Sequence, residues 1–257
     1  MITGIDTAAR ITAAQAEKIK AQGLSFVGRY IVPTMYSKSL TADEAALLHE
    51  AGLAILLCWE MGGEDMRRGS AKGAEHGIRA RNIAQDMGVP SGAVIYFAAD
   101  YDVQPGELSL CEQYIMAAQA ALGKYQVGVY GGERIITFFA ERNHPIALWQ
   151  CCAWTKKYND QADVIQYAWQ GAADAKAMAS ALGFAVDLDS CEDLRRAGMW
   201  MPTAETSAEP WYTKAMEWAA SKGLMNDGRP NDNVTRAELA TVLMRYDEKR
   251  FSGLLED

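Results

Sequence analysis

None of the five cysteines in this chain, Cys58, Cys111, Cys151, Cys152 and Cys191, stands in a Cys-x-x-Cys pair. That spacing gives no zinc knuckle and no disulfide framework. An odd set of thiols within apolar runs reads instead as buried residues of a chain folded in a reducing compartment. A basic-then-apolar leader is lacking too, because "MITGIDTAARIT" reaches an aspartate at residue 6. No run of about 18 apolar residues offers a membrane span. Positive charge is scarce: 25 Lys and Arg face 33 Asp and Glu, a net charge of −8. That balance argues against nucleic acid as a partner and against electrostatic adhesion to a membrane. "GIDTAA" follows the first apolar run where a dinucleotide site would carry G-x-G-x-x-G. His49, His76 and His144 all fall in helix-like or loop segments. No histidine is therefore expected to act as a relay or zinc ligand, and no metal or cofactor is expected.

What is present is regular alternation. With 49% apolar and 23% charged residues over 257 positions, the composition is that of a globular protein. The length suits a domain of about 200 residues with a small appendage. Eight strand-like runs appear by residue 189: "MITGID", "SFVGRYIV", "LAILLCWE", "AVIYFAAD", "QVGVYGG", "IALWQCCAW", "DVIQYAWQ" and "FAVDLD". Helix-like segments separate most of them. In "TADEAALLHEAG", Thr41 and Glu44 stand at capping-box spacing and Gly52 marks a stop. Apolar strands without polar alternation suit a parallel sheet covered on both sides. The alternation fits either a doubly wound sheet or a (β/α)8 barrel of TIM type.

Polar residues at the carboxyl ends of the runs favour the barrel, where those ends meet on one face. They include Asp6, Arg29, Glu60, Asp100, Asp102, Tyr130, Gln166, Asp187 and Asp189. Side chains alternate along a strand, so Asp100 and Asp102 share a direction, as do Asp187 and Asp189. Crowded carboxyls in a partly dry cleft raise the proton affinity of at least one of them. A proton donor beside an ionised partner is the equipment of a glycosidase; the same acids could also hold a divalent cation. Asp102 and Asp189 equally suit turn or helix-cap positions. Tyr30, Trp149, Tyr167 and other aromatics at the same ends offer flat faces to a sugar. Trp59 and Tyr101 should point away from the cleft by alternation.

The motifs "GIDTA", "FVGRYI", "GVPSGAVIYFAADYD", "VGVYGG", "LWQ", "IQYAWQ" and "FAVDLD" resemble the glycoside-hydrolase-like barrels related to glycoside hydrolase family 25 lysozymes. The resemblance covers residues 1 to about 198. It implies a barrel domain over 1–200 that cleaves the β-1,4 bond after N-acetylmuramic acid in peptidoglycan. Asp6, the acids ending the fourth strand and Asp187 would form its catalytic centre; Arg29, Tyr30, Tyr130, Trp149, Gln166 and Tyr167, by their place at or near the same strand ends, are the expected substrate-binding residues. Those lysozymes end the fourth strand with Asp-x-Glu and use the Glu as proton donor; here the pattern is Asp100-x-Asp102. The donor is then Asp102, or else Glu60, or hydrolysis is lost.

Residues 201–210, "MPTAETSAEP", read as a linker. Beyond them, 211–257 carries Trp211, Ala215, Trp218 and Ala219 on one helical face. Thr235 and Glu238 form a capping box opening a helix whose inner face is Leu239, Val242, Leu243 and Tyr246. The stretch resembles an S-layer homology repeat, which implies a small all-α helix-pair module binding a secondary cell-wall polymer, with Arg236 as a candidate ligand contact. A single short repeat is marginal alone, so it is expected to dock on the barrel or to self-associate as a homo-oligomer. The whole resembles a phage endolysin, made in the bacterial cytoplasm and acting at the cell wall after release.

Overall fold

The computed structural model describes residues 1–142, 145–202, 218–219, 221–222, 224 and 236–251. It divides into two units, Met1–Thr203 and Ala204–Asp257. In the first, eight strands close a barrel in chain order. They are β1 (Ile2–Asp6), β2 (Phe26–Tyr30), β3 (Ala54–Trp59), β4 (Val94–Ala98), β5 (Gln126–Gly131), β6 (Ala147–Gln150), β7 (Val164–Ala168) and β8 (Asp187–Cys191). Six helices accompany them: α1 (Ala13–Ala21), α2 (Ala42–Glu50), α3 (Gly69–Asp86), α4 (Leu108–Ala121), α5 (Glu133–Ala140) and α6 (Ala173–Leu182). This is the TIM-type α/β barrel that the alternation implies. Two of its departures from eightfold regularity stand out. No helix joins β6 to β7, and β8 runs antiparallel to both of its neighbours, with Ile2 opposite Cys191 and Asp6 opposite Asp187.

Strand alternation builds two apolar layers. Outward-pointing Ile5, Val27, Ile55, Trp59, Ile95 and Phe97 pack beneath the helices. Inward-pointing Phe26, Leu56, Tyr96 and Trp149 fill the ring. Glycine faces the large rings because nothing else fits: a Cβ at Gly4 would lie 2.6 Å from the Phe26 ring, and one at Gly128 2.4 Å from the Tyr96 ring. The segment after β8 closes the floor. Ala197 and Met199 join the inner core, Tyr96 Oη donates to the Ala197 carbonyl at 2.9 Å, and Trp200 exchanges backbone hydrogen bonds with Ile55. Only the opposite rim is left for chemistry.

Local signals behave as physics suggests, with one instructive exception. Gly52 adopts φ +71° and ends α2. The Glu44 amide donates to Thr41 Oγ1 at 3.2 Å, but the Glu44 carboxylate does not complete the capping box. It accepts from Arg29 Nε at 2.7 Å and from the Ile11 amide at 3.0 Å instead. His49 packs edge-on against Trp200, and buried His76 bonds Tyr114 Oη at 2.7 Å. Both are packing residues, whereas His144 lies outside the described residues.

In the second unit, the described residues include the helix α7 (Arg236–Phe251) and helical backbone at 218, 219 and 221. The face expected to point inward is open: Leu239, Leu243 and Tyr246 are all exposed, and only Val242 is half-buried. Most of the linker, Trp211, Ala215 and the side chains of Thr235, Arg236 and Glu238 fall outside the described residues. Among the described residues, no helix is long and apolar enough to cross a membrane.

Candidate active site at the barrel mouth

Asp6 ends β1, and Asp187 begins the reversed β8 directly opposite it. The reversal therefore brings Asp187 to the same rim as the ends of the parallel strands. Gln166 on β7 ties the two acids together. Its Nε2 donates to Asp6 Oδ2 at 2.9 Å and to Asp187 Oδ2 at 3.0 Å, while its Oε1 accepts from Tyr130 Oη at 3.2 Å. Asp187 Oδ1 accepts from the Gln170 amide at 2.6 Å. Gly28 on β2 lets Asp6 settle, since a Cβ there would lie 2.5 Å from the Asp6 Cβ.

Below this pair lies Asp189, two residues along β8 and fully buried. Its Oδ1 accepts from Trp149 Nε1 at 2.9 Å. Its Oδ2 faces no donor, and Asp6 is close enough to share a hydrogen bond with the Asp189 carboxyl. Two carboxylates cannot bond without a proton between them. Burial, then the charge of Asp6, holds Asp189 far above the ordinary carboxyl range. That shift favours the neutral acid, the form that can donate to Asp6. Asp6 itself is pushed up to about 7, first by burial and then by the charge of Asp187; the bonds from Gln166 and Asp189 oppose the rise.

Asp100 and Glu60 complete the ring. Burial and then the Glu60 charge raise Asp100, whose amide is pinned to the Gly63 carbonyl at 3.0 Å. Asp187 is raised by burial, with the charge of Asp100 adding to it. Glu60 pairs with Lys38 at 3.2 Å, and Lys38 also sits 4.3 Å over the Tyr30 ring. A small pocket of about 170 Å³ opens among Asp6, Tyr30, Gln170 and Asp187. Carboxyls of unequal proton affinity side by side can give a proton and stabilise positive charge in one site.

Four expected members stand elsewhere. Asp102 is half exposed and ion-paired to Arg134 at 3.0 Å, facing a separate groove. Its strand has ended at Ala98, so alternation no longer sets its direction. Arg29 is fully buried on the outward side of β2, spent on Glu44 and the Thr7 carbonyl. Tyr167 alternates outward from Gln166 and is exposed outside the ring. Trp149 is inside but buried, so its ring cannot stack on a ligand; it anchors Asp189. Trp59 and Tyr101 do point away, into the layer beneath the helices. Asp189 and Lys38 were not picked out as site residues. The Asp-x-Asp spacing on β8 is the signal for Asp189, since it repeats the inward parity of Asp187. Among the described residues no three His, Cys, Asp or Glu converge to hold a metal ion.

The family model of the Rv2525c-like, glycoside hydrolase-like domain matches residues 17–183, most of the barrel and more than half of the chain. The chain belongs to that family. Residues 204–240 match the S-layer homology domain, so a glycoside-hydrolase-like barrel is followed by an S-layer homology domain. Two uncharacterised proteins of Bacillus subtilis (strain 168) are similar to this family member. YbfG is 32% identical over 147 residues, which is 51% of this chain and 20% of that protein. FadG is 25% identical over 147 residues, 53% of this chain and 26% of that protein. The chain thus spans about a fifth to a quarter of the length of these relatives. Among solved structures, the Tat-secreted protein Rv2525c of Mycobacterium tuberculosis, crystallised with L-tartrate, superposes with a TM-score of 0.65 at 23% identity. That match covers 77% of this chain and 98% of that one, and it shows the shared fold.

Proposed function

We propose that this Rv2525c-like barrel is a cell-wall glycosidase, cleaving the β-1,4 bond after N-acetylmuramic acid in peptidoglycan. The S-layer homology domain would hold it to a secondary wall polymer. One observation carries the reading: Asp6, Glu60, Asp100 and Asp187, from four different segments, act on one another's charge at a single mouth. Such an arrangement costs stability and needs a purpose. In this reading Asp6, which holds its proton to about 7, protonates the departing sugar oxygen. Asp100, Asp187 and Glu60 supply the negative field that favours an oxocarbenium-like state. This differs from the roles drawn by resemblance, where Asp102 or Glu60 gives the proton.

A second reading rests on a specific feature. The position that corresponds to the lysozyme donor, Asp102, is turned to Arg134, which suits a barrel that binds wall glycan without cutting it. Reducing-end release from purified peptidoglycan by the whole chain separates the two. Hydrolysis lost in Asp6→Asn and Glu60→Gln supports the enzyme, and mass spectrometry of the fragments identifies the bond. Binding with no release at any pH leaves the glycan-binding barrel. Self-association through the C-terminal module remains part of the proposal; small-angle scattering that stays monomeric at high concentration removes it.

A further inference from the structure

A second concavity stands apart from the acid mouth. It is a groove of about 760 Å³ lined by Asp102, Arg134, Thr137, Phe138, Trp154 and Lys156. Its walls come from segments that follow β4, β5 and β6, so it opens on the same rim as the mouth. Asp100 belongs to the mouth and Asp102 to the groove, and only Tyr101 stands between them, a Cα–Cα reach of at most about 7 Å.

Trp154 is the notable wall. It is 44% exposed, although its loop is held firmly. It is also the only non-glycine among the described residues with a positive φ, at 53°. Such a conformation persists only where surroundings over-determine it, and here they do. The Glu133 amide donates to the Trp154 carbonyl at 3.3 Å, and Glu133 Oε2 accepts from the Lys156 and Lys157 amides at 2.7 and 3.1 Å. Thr155 Oγ1 donates to the Cys151 carbonyl at 2.7 Å, and Gln150 Nε2 to the Lys157 carbonyl at 2.9 Å. Gly132 leaves the space, since a Cβ there would meet the Trp154 Cβ at 3.0 Å. These bonds fix the backbone from which the half-exposed Trp154 ring faces water, where burial would ordinarily take it. An exposed indole bordered by charged and hydroxyl groups is suited to a sugar ring, with C–H faces to stack and hydroxyls to bond.

Size points the same way. Ligand sites are commonly about 300–1,000 Å³; the mouth pocket at about 170 Å³ is too small for more than part of a glycan, and the groove is not. We infer that the groove over Trp154 is an accessory saccharide subsite that holds the continuation of a glycan strand that also occupies the acid mouth. This rests on the glycan reading above for the nature of the ligand, but not on hydrolysis.

The test is binding by the whole chain, in an Asp6→Asn background that prevents turnover. The probes are peptide-free glycan fragments of peptidoglycan, a disaccharide and an octasaccharide, followed by calorimetry. Trp154→Ala should weaken octasaccharide binding about tenfold, the scale of one aromatic contact, and leave the disaccharide unaffected. Trp154→Phe should restore most of the loss, and an unchanged circular dichroism spectrum should accompany both. Octasaccharide affinity unaltered by Trp154→Ala, or equal losses for both probes, overturns the subsite. Failure of the glycosidase reading shows separately, as absent product with Asp6 intact while the length-dependent binding persists.

Discussion

Replacing Asp6 by Asn should make the barrel more stable while it removes the proposed activity. In the folded chain Asp6 keeps its proton to about 7, against an ordinary value of 3.8. At about 1.4 kcal/mol for each tenfold change in proton affinity, the gap corresponds to about 4 kcal/mol. The sign follows from linkage: between pH 4 and pH 7 the folded state binds the proton that the unfolded state has released. The contribution of Asp6 is therefore fully present below about pH 4 and lost as the pH climbs to 7. Asn cannot ionise and escapes that loss. The variant's advantage should start near zero at pH 4, grow through the interval and level off above pH 7 at up to about 4 kcal/mol. A changed hydrogen bond with Gln166 or Asp189 adds a constant offset of about 1 kcal/mol that leaves the slope alone. Urea unfolding from pH 4 to pH 8, followed by near-ultraviolet dichroism of the barrel aromatics, measures it. A difference that does not vary with pH would show that Asp6 is ionised throughout, and the account of the mouth would fall with it.

Asp189→Asn, which can still accept from Trp149 and donate to Asp6, should cost under about 1 kcal/mol, whereas Asp189→Ala should cost roughly 2–4 kcal/mol by stranding the buried indole N–H and leaving a gap. A protonated carboxyl stretch in the infrared at pH 7 should lose intensity in Asp189→Asn. Glu44→Ala leaves the fully buried Arg29 unpaired and should lower stability by about 3–5 kcal/mol in chemical denaturation. Gly28→Ala places a methyl 2.5 Å from the Asp6 Cβ; it should reduce sugar release at least tenfold and shift its pH profile, because Asp6 must move. An unshifted profile would count against the placement of Asp6.

Much of this was legible in the residues, and the limits have physical causes. Eight strands and the convergence of Asp6, Glu60, Asp100 and Asp187 follow from apolar runs with acids at their edges. The reversal of β8 does not, because alternation reads the same in either direction and a helix before a strand ordinarily signals a parallel crossover. Arg29 and Tyr167 were assigned to the cleft from their position at strand ends; parity with Gly28, Tyr30 and Gln166 shows them facing outward. Asp102 lies beyond the last residue of β4, where a partner, Arg134, decides orientation and no local pattern announces it. Asp189 suits a cap because the helix-like "SCEDLRRAG" follows it, and only the indole of Trp149, 40 residues away, makes its burial tolerable.

The seam between β1 and β8 has a consequence for biosynthesis. It pairs Ile2 with Cys191 and Asp6 with Asp187, among the most sequence-distant contacts a barrel can make, and pairings of that kind form late. A ribosome-bound chain therefore carries half of its acid pair on an unsealed sheet until the final strand has left the exit tunnel. The step that completes the cylinder is also the step that creates the site.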